Sequence, residues 1–180
     1  MANESAIIMP IAEVEPFVSS LRLQYDRSAA LGVPAHITLL FPFYPPQKAE
    51  GQLEKLREFF NSIPSFEFYF VEVRRFPRAA YLHPDQPERF IKIINRLVQK
   101  WPDCKPYGGA FPDIVPHLTV ADQVDVGVLN SVQTSLCDRL PIPSIAAEAW
   151  LLFSDDVGFG REENVFGWAS RTKEGSGVYS

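Results

Sequence analysis

The sequence PAHITLLF, at residues 34–41, is the most informative stretch of this chain. It is short, apolar, rich in β-branched residues and opened by proline, which is typical of a β-strand. Because side chains alternate between the two faces of a strand, His36 and Thr38 share one face, while Ile37 and Leu39 point the other way. Taken alone, such a strand is usually half-buried, with one polar face and one face in the core.

A second stretch, PHLTV at residues 116–120, repeats this pattern about 80 residues later. It places His117 and Thr119 on one face and directs the apolar residues beside them into the core. The chain has three histidines, and two of them have a threonine two positions later. This repetition is far more specific than a single short motif, and it indicates that the two strands contribute to one catalytic site.

With their flanks, the two motifs read GVPAHITLLFPF at residues 32–43 and VPHLTVA at residues 115–121. In this form they resemble the two-histidine (2H) phosphoesterase superfamily, and within it the 2′-5′ RNA ligase-like and cyclic phosphodiesterase group. The resemblance extends from about residue 5 to about residue 172. It implies an α+β fold with two lobes, pseudo-twofold duplicated antiparallel sheets, helices on the outer faces, and a central cleft where the motif strands meet.

Hydrophobic periodicity predicts strands and helices in a similar order in the two halves of the chain. Besides the motif strands, we expect strands at residues 5–11, 66–73, 79–82, 145–153 and 164–172. We expect helices at residues 12–25, 49–62, 87–100 and 125–140. The connecting segments are predicted to be loops at residues 26–34 and 102–116 and an Arg-rich turn at residues 74–78.

The composition predicts a single globular domain over residues 1–180, with 46% hydrophobic and 13% aromatic residues to form a core. Within it we expect lobes at about residues 1–75 and 76–172, followed by a polar tail at residues 173–180. The formal net charge of −5 argues against a broad surface that coats nucleic acid, because such surfaces are normally basic. A small phosphate site is compatible with this charge.

Nothing in the sequence indicates export or membrane insertion. The N-terminus lacks the basic start and apolar run of a signal peptide, and no apolar stretch is long enough to span a bilayer. The two cysteines, Cys104 and Cys137, have no metal-binding or redox spacing and are expected to be free thiols in a reducing compartment. We therefore expect a cytoplasmic monomer with no cofactor.

Two imidazoles that face each other across a cleft can act as a general acid and a general base, because histidine titrates near neutral pH. The hydroxyls of Thr38 and Thr119 can donate hydrogen bonds to phosphate oxygens, on which charge develops in the transition state. No Asp, Glu or Cys follows either motif histidine at metal-ligand spacing. The sequence therefore favours metal-independent hydrolysis of a phosphodiester, and a 2′,3′-cyclic phosphate on an RNA 3′ end or a small nucleotide fits such a site.

The resemblance implies the same reaction or its reverse, in which RNA ends are joined through a 2′-5′ bond. It also implies that His117 is the base that acts on water and that His36 is the acid that protonates the leaving 3′-oxygen. Two alternatives remain open: an RNA-binding protein of the same fold, and a metallohydrolase that uses both histidines as ligands.

Other side chains are candidates for substrate contact, and Phe43 and Tyr81 are the two that we expect to reach the substrate. Three further aromatic side chains can either stack on a nucleobase or pack in the core or rim: Tyr44, Tyr107 and Phe111. His83 lacks a threonine partner and precedes a proline, so it is predicted to be a surface residue at a strand end. The arginines of the predicted turn are expected to be solvated rather than bound to phosphate: Arg74, Arg75 and Arg78.

Overall fold

The computed structural model describes residues 4–154 and 159–170. These residues form eight strands: β1 (Ser5–Pro10), β2 (His36–Leu40), β3 (Phe66–Phe76), β4 (Ala79–Pro84), β5 (Leu118–Ala121), β6 (Ile142–Ala146), β7 (Glu148–Ser154) and β8 (Phe159–Gly167). They also form six α-helices: α1 (Glu15–Tyr25), α2 (Arg27–Ala30), α3 (Pro46–Glu50), α4 (Leu53–Asn61), α5 (Pro87–Lys100) and α6 (Val126–Cys137). Short 3-10 turns lie at Ala12–Val14 and Pro106–Gly109. None of the helices in this part of the chain is long and apolar enough to cross a membrane.

The strands join in one antiparallel sheet, in the order β6-β3-β4-β5-β2-β1-β7-β8. The two motif strands, β2 and β5, are neighbours at its centre, where Ile37 is paired with Leu118. Outward from this central pair the two halves have the same plan, with three further strands on each side. The pseudo-twofold sheet and the mixture of helices with antiparallel strands confirm the predicted α+β class.

Each half of the sheet combines segments that are distant in the chain. Strand β3 pairs with β4 and with β6, which begins at residue 142. Strand β1, at the start of the chain, pairs with β7, and β8 pairs with β7 in turn. Both halves therefore contain strands from before and after residue 75.

One face of the sheet carries the hydrophobic core, and the helices pack against it. In β3, Phe66, Phe68 and Phe70 are buried and alternate with exposed Glu67 and Tyr69. Helix α1 contacts β5, and α5 contacts β2, so each motif strand is backed by a helix from the other half. Burial of the apolar side chains on this face turns the polar side chains of both motifs to the opposite face.

Several predicted elements lie close to their predicted bounds, among them α5 at Pro87–Lys100. The predicted loop before β2, however, contains helix α2. Its N-terminus is capped by Asp26, whose Oδ1 accepts the Ser28 N–H at 2.9 Å. The helix predicted at residues 49–62 is two helices, α3 and α4, which are separated at Gly51.

The Arg-rich turn is shorter than predicted, because β3 continues to Phe76 and leaves only residues 77–78 in the turn. The strand predicted at residues 145–153 is two strands, β6 and β7, which flank Ala147. Helix α6 ends at Cys137 rather than at residue 140.

The last predicted strand is shifted toward the N-terminus. Strand β8 runs over Phe159–Gly167 rather than over residues 164–172. The end of that predicted strand, at residues 171–172, and the predicted tail at residues 173–180 lie outside the described residues.

Candidate active site

The central pair of strands places the four motif side chains on the face of the sheet opposite the helices. In the antiparallel register of β2 and β5, His36 lies across from Thr119, and Thr38 lies across from His117. All four side chains are half-buried, and together they line one pocket of about 410 Å³, named here the motif pocket. Each histidine therefore has the hydroxyl of the other motif across from it.

Both motif imidazoles are held by the same kind of backbone contact. His36 Nδ1 lies 2.7 Å from the carbonyl oxygen of Pro34, and His117 Nδ1 lies 2.6 Å from that of Val115. Because a carbonyl oxygen only accepts hydrogen bonds, Nδ1 carries the proton of each neutral ring and donates it. Nε2 is then available as a base when the ring is neutral and as an acid when the ring is protonated.

Burial shifts both histidines toward their neutral forms. Desolvation lowers the pKa of His36 from 6.5 to about 4, opposed by the hydrogen bond to the Pro34 carbonyl and reinforced by the nearby Arg22 guanidinium. Desolvation also lowers the pKa of His117, opposed by its bond to the Val115 carbonyl. Near pH 7 both rings are therefore neutral until a bound anion favours their protonation.

A buried ion pair supports the loop that leads into β2. Arg22 is 2% exposed, and its guanidinium donates to Asp26 Oδ2 at 2.9 and 3.1 Å and to the Val33 carbonyl at 3.3 Å. Glu15 Oε1 lies 4.0 Å from the same guanidinium and accepts the Ala35 N–H at 2.6 Å. Pro34 lies between Val33 and Ala35, and its carbonyl oxygen is the one that holds His36 Nδ1. Sequence reasoning missed this network, because an i, i+4 Arg–Asp pair is common on exposed helices.

Aromatic rings surround the second motif histidine. The rings of Phe76 and Tyr81 each lie 5.2 Å from the His117 ring and approach it edge-on, and they stack on each other at 4.5 Å. Tyr81 is 5% exposed and is paired with Thr119 across β4 and β5. Tyr81, predicted as a substrate contact, is thus placed against the imidazole and is not among the residues that line the motif pocket.

The predicted surface position of His83 is wrong. Its side chain is only 7% exposed, on β4 beside β5, and burial lowers its pKa. Its ring forms a hydrogen bond with the backbone of Pro116, which has only a carbonyl to offer, so the imidazole is the donor. Nδ1 of this ring has no hydrogen-bond partner among the described residues. The proline after His83 does not end the strand, because Pro84 still pairs with Phe70.

A larger cavity, of about 650 Å³, adjoins the motif pocket and is named here the apolar cavity. The two share several lining residues, among them Thr38, Phe41, Tyr107 and His117. Much of the remaining wall of the apolar cavity is formed by aliphatic and aromatic side chains: Leu39, Leu40, Ile94, Phe111, Ile114 and Val115. Such a wall suits a flat, uncharged part of a ligand.

Two aromatic residues expected near a ligand lie elsewhere. Phe43, predicted as a substrate contact, is 6% exposed, packs in the core edge-on to Trp101 at 5.7 Å, and lines neither cavity. Alternation along β2 directs Ile37, Leu39 and then Phe43 to the core. Phe41, just beyond the end of β2, departs from this pattern and lines both cavities. Tyr44 also lines neither cavity, and its hydroxyl donates to an Asp103 oxygen at 3.3 Å.

Charged side chains at the two cavities are mostly acidic. Asp122 lines both cavities, Asp26 lines the motif pocket, and Asp113 lines the apolar cavity. Arg78 lines the apolar cavity and donates to the Gln123 carbonyl at 3.1 Å. Among the described lining residues, this arginine is the one cationic side chain. A polyanionic ligand would therefore have little of its negative charge neutralised by the protein here.

The other two arginines of the predicted turn lie on β3 and line neither cavity. Arg74 Nε donates to Glu72 at 2.6 Å, and Arg75 donates to Gln133. Within the described residues, no group of three or more His, Cys, Asp or Glu side chains is arranged to hold a metal ion. The two cysteines are free, one of them buried and the other exposed.

A family model described as the 2′-5′ RNA ligase superfamily matches residues 10–158, which include both motifs. The chain therefore belongs to the 2′-5′ RNA ligase superfamily. This confirms the resemblance to the 2′-5′ RNA ligase-like group that the sequence indicates.

Solved structures share the fold at low sequence identity. Escherichia coli LigT in apo form is 16% identical, with a TM-score of 0.62, over 94% of this chain and 99% of LigT. LigT complexed with NADP+ is 16% identical, with a TM-score of 0.61, over 93% of this chain and 98% of LigT. TT0787 of Thermus thermophilus is 13% identical, with a TM-score of 0.61, over 94% of this chain and all of TT0787. No curated protein matches the chain in sequence at a significant level.

Proposed function

We propose that this protein is a metal-independent phosphodiesterase that hydrolyses a 2′,3′-cyclic phosphate by two-histidine acid–base catalysis. The motif pocket carries the proposal: it is lined by two histidines, each with Nδ1 bound to a carbonyl and Nε2 left for proton transfer, and by two threonine hydroxyls. Membership of the 2′-5′ RNA ligase superfamily supports this class of chemistry.

The reaction requires one proton to leave water and one to reach the leaving oxygen. A neutral imidazole takes the water proton on Nε2 as the water oxygen bonds to phosphorus. A protonated imidazole on the other side of the phosphate gives its Nε2 proton to the ribose 3′-oxygen as that P–O bond breaks. The product is a 2′-phosphate with a free 3′-hydroxyl, and Thr38 and Thr119 donate to the non-bridging oxygens throughout.

The environments of the two histidines favour His36 as the base and His117 as the acid. Burial depresses the pKa of His36 the further of the two, while the charges of the Arg22–Asp26 pair act on it in opposite directions. When the pair holds one proton, that proton therefore resides on His117. This order is the reverse of the one that the sequence resemblance implies.

The shape of the site favours a small cyclic nucleotide or a short RNA 3′ end as substrate. With phosphate at the four motif residues, the adjoining apolar cavity accommodates a nucleobase next to Phe41 and Phe111. The acidic lining residues Asp113 and Asp122 disfavour further phosphates in the same cavity. We propose that the protein acts as a cytoplasmic monomer and without a cofactor.

The test is turnover of the four 2′,3′-cyclic nucleotides in EDTA, with identification of the product. The matched variants are His36→Asn and His117→Asn, because asparagine keeps a donor for the backbone carbonyl but has no group at the position of Nε2. We expect the intact protein to release 2′-phosphates, and each variant to lose at least ~100-fold in kcat/KM. Full activity in either variant contradicts the proposal.

Two further readouts separate the alternatives. Activity that disappears in EDTA and returns with added divalent metal would favour a metallohydrolase. Joining of RNA ends with no hydrolysis of cyclic nucleotides would favour a ligase.

The acid and the base are distinguished with bis(4-nitrophenyl) phosphate, whose leaving group departs without a proton. We expect His117→Asn to keep most of its activity on this ester and His36→Asn to lose it. The opposite result would establish the order that the sequence resemblance implies.

A further inference from the structure

The loop between α5 and β5 places a tyrosine in an unusual backbone conformation beside the motif pocket. Tyr107 has φ 50° and ψ 37°, and it is followed by Gly108 at φ 63° and Gly109 at φ 80°. The left-handed region is comfortable for glycine but costs energy for a residue with a Cβ. The Tyr107 N–H donates to the Phe41 carbonyl at 2.5 Å, which holds the loop against the end of β2. Non-glycine residues in this region are enriched at functional sites, where the surrounding structure maintains them.

The hydroxyl of Tyr107 reaches the first motif. It forms a hydrogen bond with the side chain of Thr38, and this bond lowers the Tyr107 pKa against the larger, raising effect of burial. Each of the two hydroxyls has one proton, which it can donate either to the other hydroxyl or to a ligand. Because Thr38 and Tyr107 both line the motif pocket, both O–H groups can turn toward the oxygens of a phosphate bound there.

The position of the ring shows where such a phosphate would lie. Tyr107 lines the motif pocket and also the apolar cavity, so it stands where the two meet. Its ring packs edge-on against Phe41 at 6.4 Å and against Phe111 at 5.7 Å. The second motif has no comparable hydroxyl contact among the described residues, so this tyrosine breaks the symmetry of the site.

We propose that Tyr107 is a substrate-binding residue, whose hydroxyl donates a hydrogen bond to a non-bridging oxygen of the phosphate. The proposal rests on the proposed function for the identity of the phosphate ligand. It adds a third hydroxyl donor to those of Thr38 and Thr119, and it places the phosphate nearer to the first motif than to the second. The strained backbone is then retained because it aims this hydroxyl into the pocket.

The first test is calorimetric titration with adenosine 2′-monophosphate, which measures binding without catalysis. Tyr107→Phe removes the hydroxyl and keeps the ring, and Tyr44→Phe makes the same change at a tyrosine that lines neither cavity. We expect Tyr107→Phe to bind ~10-fold more weakly, which is the usual effect of losing a hydrogen bond to a charged group. We expect Tyr44→Phe to bind as the intact protein does. Equal affinity in all three proteins, or no binding by the intact protein, overturns the proposal.

The second test uses Tyr107→Gly, because glycine relieves the left-handed backbone while it removes the side chain. We expect a thermal midpoint at or above that of the intact protein, together with weaker binding of adenosine 2′-monophosphate. A lower midpoint with unchanged binding would show that the tyrosine only supports the loop. If the intact protein binds the nucleotide through Tyr107 but hydrolyses no cyclic phosphate, the proposed function fails and this inference stands. If hydrolysis depends on both histidines and Tyr107→Phe binds normally, this inference alone fails.

Discussion

Ile37 on β2 is paired with Leu118 on β5, and this pair joins the two halves of the sheet. Both side chains are completely buried beneath the helices. A slip of one residue in this antiparallel pair would turn the buried side chains to the open face and the motif side chains to the core. Core packing on one face of the sheet therefore fixes the relative positions of the histidines and threonines on the other.

The hydroxyls of the two motif threonines are expected to stabilise charge on the phosphate in the transition state. Thr38→Val and Thr119→Val keep the side-chain shape but remove the donor, so each should lower kcat/KM for a 2′,3′-cyclic nucleotide by ~10- to 100-fold. The loss should lie mainly in kcat. Thr134→Val, at an exposed position on α6, is the matched control and should be neutral. Unchanged kcat in both motif variants would exclude the threonines from transition-state stabilisation.

The pH dependence of the rate should reflect the lowered pKa values of His36 and His117. In the free protein the pair holds one proton only at acidic pH, so we expect the optimum of kcat/KM to lie below pH 6.5. A bound phosphate anion stabilises the protonated ring, so the optimum of kcat should lie at higher pH than that of kcat/KM. Rate profiles from pH 4 to pH 9 measure both, and a kcat/KM optimum above pH 7.5 would contradict this prediction.

The stability of the fold should also depend on the protonation of His36. Its pKa is about 4 in the folded protein against 6.5 as the ordinary value, so the unfolded chain binds this proton first as the pH falls. The contribution of neutral His36 to the free energy of unfolding is therefore complete above pH 6.5. It is lost progressively as the pH falls to about 4, by up to about 3 kcal/mol. Urea unfolding at pH 7.5 and pH 4.5 measures the loss. It should be smaller in His36→Asn, and an equal loss in both proteins would show that His36 does not contribute.

The buried guanidinium of Arg22 should be essential to stability. Arg22→Met leaves the buried Asp26 carboxylate without a cationic partner. This should lower the free energy of unfolding by about 3–5 kcal/mol. Arg57→Met is the matched control, because it removes a guanidinium from an exposed pair with Glu54 and should cost less than about 1 kcal/mol. Chemical denaturation measures both. Equal effects would mean that the ion pair below the first motif contributes no more than a surface pair does.

The aromatic side chain of Phe111 should matter for affinity rather than for chemistry. It is 65% exposed, lines the apolar cavity and is available to stack on a nucleobase. Phe111→Ala should raise KM for cyclic nucleotides by about 5- to 100-fold and leave kcat within about twofold. Exposed Leu23, which lines neither cavity, gives the control variant Leu23→Ala. A fall in kcat without a change in KM would contradict base stacking by Phe111.

The sequence predicts the parts of this molecule in which local pattern and tertiary structure agree. Helix α5 has an unbroken apolar stripe and ends at its predicted bounds. The alternation around His36 and His117 separates the core residues from the residues that line the motif pocket. These signals need no knowledge of distant contacts, because period and composition alone specify which face is buried.

The predictions from sequence fail where contacts between distant parts of the chain determine whether a side chain is buried. His83 is buried because β4 lies inside the sheet between β3 and β5, and its own neighbours in sequence carry no trace of that position. Arg22 is buried because the loop before β2 folds back over it. In each case the sheet order and the long-range packing override the local pattern, and neither is encoded locally.

Strand β1 lies between β2 and β7, and β7 begins only at Glu148. During synthesis, the motif strands can therefore emerge from the ribosome long before the strand that covers the other edge of β1. Until then the nascent chain presents an unpaired, apolar strand edge, which is the kind of surface that aggregates or recruits chaperones. The order of translation thus delays completion of the sheet around the site until most of the chain has been made.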